Sequence, residues 1–344
     1  MAIRAGRACL ASAAFAAALA CLSGCPSPSP SADAGPASVA AKPPAASGTV
    51  RQGSFQSSAL GVEKHYLAWL PAGYDQSDAR YPVIYLLHGL GGSETDWVKA
   101  GDLPRAADAL ALPAIVIMPD GDDGFYANGA TAVAYDTCMA GRPPRNRAEP
   151  PATYCVKQPR YEDYIVKDLI AHVDGAYRTR PERAGRAITG LSMGGFGAFA
   201  LAMRHKDLFV SAASHSGVVS LLYNGPHPYE KGKVGSTTNL AEWGKDLRAP
   251  IRDHIRFIFG SEIARWREHD PSHLAAGLKD GELALYFDCG TSDSYKFQDG
   301  AQYLHEVLQG AGVAHRFVLL PGGHTFDFWK AQIGESLAFH VSNF

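Results

Sequence analysis

Short apolar runs alternate with longer amphipathic stretches from about residue 66 to the end of the chain. Runs at 66–70, 82–87 and 114–118 predict strands, with a short helix over 103–112 ahead of the third. Residues 161–177 carry Tyr164, Ile165, Leu169, Ile170 and Val173 at helical spacing, so they predict an amphipathic helix. A strand from Arg186 runs into a small-residue helix from Met193. Further strands are expected at 209–214, 254–259, 283–287 and 316–320, with a helix over 301–308 between the last two. Continuous apolar strands separated by helices predict an α/β fold: a mostly parallel central sheet with helices on both faces. In such sheets ligands bind outside the carboxyl ends of the strands. The stretch 222–250 holds Gly225, Pro226, Pro228, Gly232 and Gly235, and is expected to form loops overhanging that edge.

The N-terminal part reads differently. Arg4 and Arg7 precede an apolar stretch over 8–22, and Leu22-Ser23-Gly24-Cys25 follows. Residues 1–25 are therefore expected to be a targeting segment with the lipobox pattern of bacterial lipoproteins, Cys25 being acylated. An uncleaved anchor or an ordinary cleaved signal are the alternatives; the stretch is short and broken by Gly24 and Pro26. Residues 26–49 are Pro, Ser and Ala with almost no charge, the composition of a disordered linker. Residues 50–344 are then one large domain. The expected location is the bacterial cell envelope, at the periplasmic or surface face of the outer membrane, with the lipid as the membrane contact.

Charge adds little. Leaving out Arg4 and Arg7, 30 of the 32 Lys+Arg stand against 34 Asp+Glu, a net −4 from Cys25 onward, which argues against a nucleic-acid partner. Past Cys25 the only cysteines are Cys138, Cys155 and Cys289. In an oxidising compartment Cys138 and Cys155 are spaced to close a Pro-rich insertion as a disulfide, two buried thiols being the alternative. Cys289 reads as a small buried apolar residue. The spacing of Cys and His residues suggests neither a metal nor a cofactor.

Candidate chemistry sits at the strand ends. Gly190-Leu191-Ser192-Met193-Gly194 lies where the strand from Arg186 meets the helix. Glycines on both sides allow a tight turn that lifts the serine hydroxyl above the sheet, so Ser192 is the candidate nucleophile. In a chain with 36 glycines the letters alone are weak; the flanking strand and helix give them weight. A serine needs a base and an orienting acid. His324, in Pro321-Gly322-Gly323-His324 after a predicted strand, is the base selected from 13 histidines. Asp288 ends one predicted strand and Asp293 lies in the loop beyond. Asp293 is preferred as the acid because a loop residue reaches His324 more easily. Asp270 reads as a helix start and Asp299 as a solvated or capping carboxylate. For the oxyanion, the backbone N–H of Met193 and that of Leu90, in the loop His88-Gly89-Leu90-Gly91-Gly92, are the expected donors. His88, Trp97, Tyr126, Asn128 and Trp329 are candidate walls of a substrate pocket, the alternatives being that His88 hydrogen-bonds the loop and that the aromatic rings belong to the core.

Several segments together resemble the esterase D / feruloyl esterase / antigen 85 family of α/β-hydrolases. They are YLLHGLGGSETDW (85–97), IVIMPDG (115–121), YEDYIVKDLIAHVDGAYRT (161–179), GLSMGGFGA (190–198), CGTSD (289–293) and GGHTFDFW (322–329). The resemblance implies an α/β-hydrolase fold, Ser192 as nucleophile, Asp293 and His324 as its partners, and the amides of Leu90 and Met193 as the oxyanion hole. It also implies a serine esterase acting on small-molecule or carbohydrate-linked esters, with short-chain acyl, acetyl or feruloyl groups fitting an exported chain. An acyltransferase using the same triad with a sugar or lipid alcohol is the alternative. A surface-binding protein that has kept the scaffold and lost the activity is a second. The insertion around Cys138 and Cys155 departs from the common family pattern.

Overall fold

The computed structural model describes residues 47–132, 134–141 and 150–344. The expected targeting segment, Cys25 and most of the linker lie outside the described residues. The first strand, β1 (Thr49–Ser57), pairs antiparallel with β2 (Val62–Leu70) along its whole length. Then follow β3 (Val83–Leu87), β4 (Ile115–Pro119), β5 (Arg186–Leu191) and β6 (Ser211–His215). A two-residue pair, β7 (Tyr223–Asn224) with β8 (Gly235–Ser236), stands apart from the main sheet. The chain returns to that sheet with β9 (Ala284–Gly290) and β10 (Arg316–Leu320). The order is β1-β2-β4-β3-β5-β6-β9-β10, parallel from β4 through β10.

Alternation along the central strands builds two cores. Val83, Tyr85 and Leu87 of β3 join Ile115 and Ile117 of β4 in one buried cluster. Ile84 and Leu86 join Val116 and Met118 in the other, because successive strand residues face opposite sides. Helices Met193–Arg204 and Phe326–Val341 contribute to opposite clusters, Phe196 and Phe199 to the first and Ile333 and Leu337 to the second.

The sequence pattern misplaces two elements. Residues 254–259, expected as a strand, form the end of the helix Ala249–Phe259. The apolar residues Ile251, Ile255, Ile258 and Phe259 recur at helical spacing, Pro250 occupies the first turn where its missing N–H costs nothing, and Gly260 closes the helix at positive φ. The strand β1 falls where the linker was expected to end. Its residues are mostly exposed, so they carry no apolar alternation, and pairing with β2 alone defines it. Helix 161–176 contains a π-helical segment, Tyr164–Leu169, between its α-helical ends.

Candidate active site

The turn after β5 is built by its glycines. Ser192 has φ 52° and ψ −116°, a conformation an L-residue adopts only under constraint. A Cβ on Gly194 would stand 2.6 Å from the carbonyl oxygens of Leu87 and His88, and one on Gly190 2.6 Å from the Gly194 carbonyl group. Only glycines let the turn pack this closely against the end of β3. The Ser192 amide donates to the His215 carbonyl at 2.9 Å, anchoring the turn to β6.

Above that turn, His324 Nε2 lies 2.9 Å from Ser192 Oγ, and His324 Nδ1 lies 2.7 Å from Asp293 Oδ2. The loops carrying the acid and the imidazole are stitched together: the amide of Thr291 donates to Leu320 O at 2.8 Å and that of Ser292 to Gly322 O at 2.9 Å. A side chain at Gly290 would run into the Gly322 carbonyl, so glycine there permits the approach. Asp293 is buried, accepts from the Tyr295 amide at 2.8 Å, and has the Cys289 thiol 3.8 Å from Oδ2. Cys289 is thus buried, with its sulfur facing a carboxylate, and burial pushes its thiol well above the ordinary value.

Asp288 is occupied elsewhere. Its Oδ2 lies 2.7 Å from His215 Nδ1 and accepts from the Tyr286 hydroxyl at 3.0 Å, while His215 Nε2 lies 2.8 Å from Ser336 Oγ. This second Ser–His–Asp array is sealed in the interior, each member at most 1% exposed, so no substrate reaches it. It ties β6 and β9 to the helix Phe326–Val341; β6 pairs with the strand that leads to Ser192, and β9 itself leads to Asp293.

Leu90 and Met193 both line the cavity around Ser192, and neither backbone amide makes a hydrogen bond among the described residues. The Leu90 loop is held from behind by residues expected to wall the pocket. The Gly121 amide donates to His88 Nε2 at 2.9 Å, which leaves the ring proton on Nδ1 to be donated to Gly89 O at 2.8 Å. The Tyr126 hydroxyl donates to the His88 carbonyl at 3.0 Å, and Trp97 Nε1 donates to Leu87 O at 3.0 Å. His88, Trp97 and Tyr126 are each 1% exposed, so their assignment to the pocket wall is corrected: they lie under the loop. Asn128 is corrected as well, since its Oδ1 accepts from the Asp163 amide at 3.2 Å and it does not line the cavity. Trp329 does line it, with its ring edge-on to His324 at 4.9 Å.

The cavity holds about 590 Å³. Its walls include Phe125, Trp243, Leu247, Ile255, Tyr295 and Phe297, none of which the sequence reading selected. The overhanging stretch 222–250 supplies two of them, and the misread helix Ala249–Phe259 supplies Ile255 and His254. His254 Nε2 lies 2.7 Å from Asp123 O, and Asp123 Oδ1 accepts from the Gly91 amide at 2.6 Å, linking that helix to the Leu90 loop. Three further expectations have outcomes. Cys138 and Cys155 are joined as a disulfide. Asp299 is buried rather than solvated, held by His227 and the Tyr229 amide, while Asp270 caps the helix Pro271–Ala275 through the Ser272 amide. Among the described residues no group of three or more His, Cys, Asp or Glu is arranged to hold a metal ion.

This sheet order and elbow define an α/β-hydrolase fold. A solved ferulic acid esterase superposes with a TM-score of 0.63 over 87% of this chain and all of that one, at 23% identity. The Esterase family model matches residues 57–340, and the chain belongs to that family. Esterase Rv1288 of Mycobacterium tuberculosis is 31% identical over 276 residues, 79% of this chain and 55% of that protein. An endo-1,4-beta-xylanase/feruloyl esterase of Xylanibacter ruminicola is 29% identical over 171 residues, 47% of this chain and 20% of that protein. The chain therefore spans about half the length of the mycobacterial relative.

Proposed function

We propose that this chain is a serine carboxylic ester hydrolase acting on short-chain acyl, acetyl or feruloyl esters through an acyl-enzyme on Ser192. The observation that carries this reading is the continuous chain Ser192–His324–Asp293, at 2.9 and 2.7 Å, opening on a cavity that Leu90 and Met193 line. Ser192 passes its proton to His324 Nε2 as Oγ attacks the ester carbonyl carbon. The oxyanion that forms takes hydrogen bonds from the amides of Leu90 and Met193. Asp293 accepts from Nδ1–H and stabilises the imidazolium without taking its proton. His324 then gives the Nε2 proton to the departing alcohol oxygen, and the carbonyl reforms as the Ser192 ester. Water, deprotonated by His324, repeats the sequence and frees the acid.

The mostly apolar walls of the cavity suit an acyl group. An exported, lipid-anchored form through Cys25 accounts for the N-terminal segment and suits the disulfide of the domain. Ser192→Ala is the test. Turnover of a p-nitrophenyl acyl ester should fall about 10⁴–10⁶-fold with the circular dichroism spectrum unchanged. Retention of more than about a tenth of the activity would assign the attack to another residue.

A further inference from the structure

A second cavity of about 390 Å³ adjoins the first and shares Val218, Trp243, Leu247, Tyr295 and Phe297 with it as common wall. The two differ in chemistry. Charged groups of both signs rim the second, Glu242 and Asp246 against Lys245 and Lys296, a balance that suits an uncharged ligand. Aromatic rings of Tyr223, Trp243 and Tyr295 contribute flat apolar surface beside them. Into this cavity projects His227, whose Nδ1 lies 2.6 Å from Asp299 Oδ2. Asp299 is 3% exposed, and its other oxygen accepts from the Tyr229 amide at 3.0 Å, so both oxygens are engaged. A buried carboxylate on Nδ1 fixes the ring and leaves Nε2 as the nitrogen still open to a hydrogen bond. The His227 side chain is 43% exposed, so the ring is accessible to a ligand.

Placement relative to the imidazole decides which half of an ester belongs here. The departing oxygen must take its proton from His324, so the alcohol half lies on the imidazole side of the scissile bond. Tyr295 and Phe297 stand edge-on to the His324 ring, centroids 4.9 and 5.4 Å away, and the same two rings wall the second cavity. The acyl half is left with the side formed by Leu90, Met193, Phe125 and Ile255. Resting on the esterase reading above, we infer that the second cavity binds the alcohol half of the substrate. That alcohol is an uncharged, polyhydroxylated group, one of whose hydroxyls hydrogen-bonds with His227 Nε2. His227 is a specificity-determining residue, oriented by Asp299.

Two substrates with one acyl group test this: an O-acetylated methyl pentoside and p-nitrophenyl acetate. His227→Ala should lower the ratio of their kcat/KM values, pentoside over aryl ester, about tenfold and chiefly through KM, the usual effect of one hydrogen bond. His227→Gln, which keeps a hydrogen-bonding group, should recover part of the ratio. Asn224→Trp, which puts bulk among the residues lining this cavity, should lower it in the same way. A ratio unchanged in all three variants overturns the inference, as does wild-type protein that cleaves the aryl ester and leaves the pentoside intact. Wild-type protein that cleaves neither brings down the esterase reading itself, and the inference with it.

Discussion

At the scale of single residues, the backbone of Ser192 is the most constrained point of the site. Its positive φ costs on the order of 1–3 kcal/mol, offset by the packing of β5 and the following helix around it. Gly194 is the neighbour that makes the conformation possible, because backbone carbonyls of Leu87 and His88 occupy the space a Cβ needs. Gly194→Ala should therefore displace the Leu90 loop as well as the turn. A fall in Tm of several degrees with at least 100-fold loss of esterase turnover is expected, and unchanged values of both would show that the carbonyls have room to yield. Ser192, His324 and Asp293 were legible in the sequence because each stands at a strand end with glycines beside it. The pocket walls were not. Whether Trp97, Tyr126 and His88 face the ligand or brace the loop from behind depends on side-chain direction across three strands, and no local pattern encodes that. Phe125, at φ 50°, and Trp243 lie in loops with no periodicity to read.

At the scale of elements, the parallel strands were legible because they are continuously apolar, and β1 was not because it is a polar edge strand. Residues 254–259 show the remaining ambiguity, since a short alternating run fits a strand until the residues before it are included. Contacts between helices were also out of reach of the pattern. Glu162, at the start of the helix over 161–176, has its Oε1 2.7 Å from His205 Nε2 and 3.1 Å from Arg204 Nε, with His269 3.6 Å from Oε2. Burial alone would raise its carboxyl, but hydrogen bonds from His205, His269 and Arg204 prevail and hold it well below the usual range. A carboxyl depressed on folding adds stability above its unfolded pKa of about 4.3, and that stability is lost as the pH falls toward the folded value. In urea melts, wild type should exceed Glu162→Gln in stability at pH 7, and the gap should narrow as the pH drops below about 4. A gap constant across that range would mean the carboxylate is not linked to folding.

At the scale of the whole molecule, two cores on either face of one sheet leave its carboxyl edge free for loops, and the site is assembled there from segments as far as 132 residues apart. The α/β class was legible from alternating strands and helices; the strand order was not, because β3 and β4 exchange places through long-range pairing. No helix among the described residues is long and apolar enough to cross a membrane. For the lipid proposed on Cys25, Cys25→Ser should move the protein from the membrane fraction to the soluble fraction with ester turnover preserved. Persistence in the membrane fraction would contradict that anchor. The attack itself is tested most directly by trapping the covalent intermediate. Protein quenched in acid during turnover of a slow ester, digested and analysed by mass spectrometry, should carry the acyl group on the peptide containing Ser192, and His324→Ala should fail to accumulate it. Steady hydrolysis with Ser192 unmodified and the acyl group on another side chain would contradict the proposed mechanism.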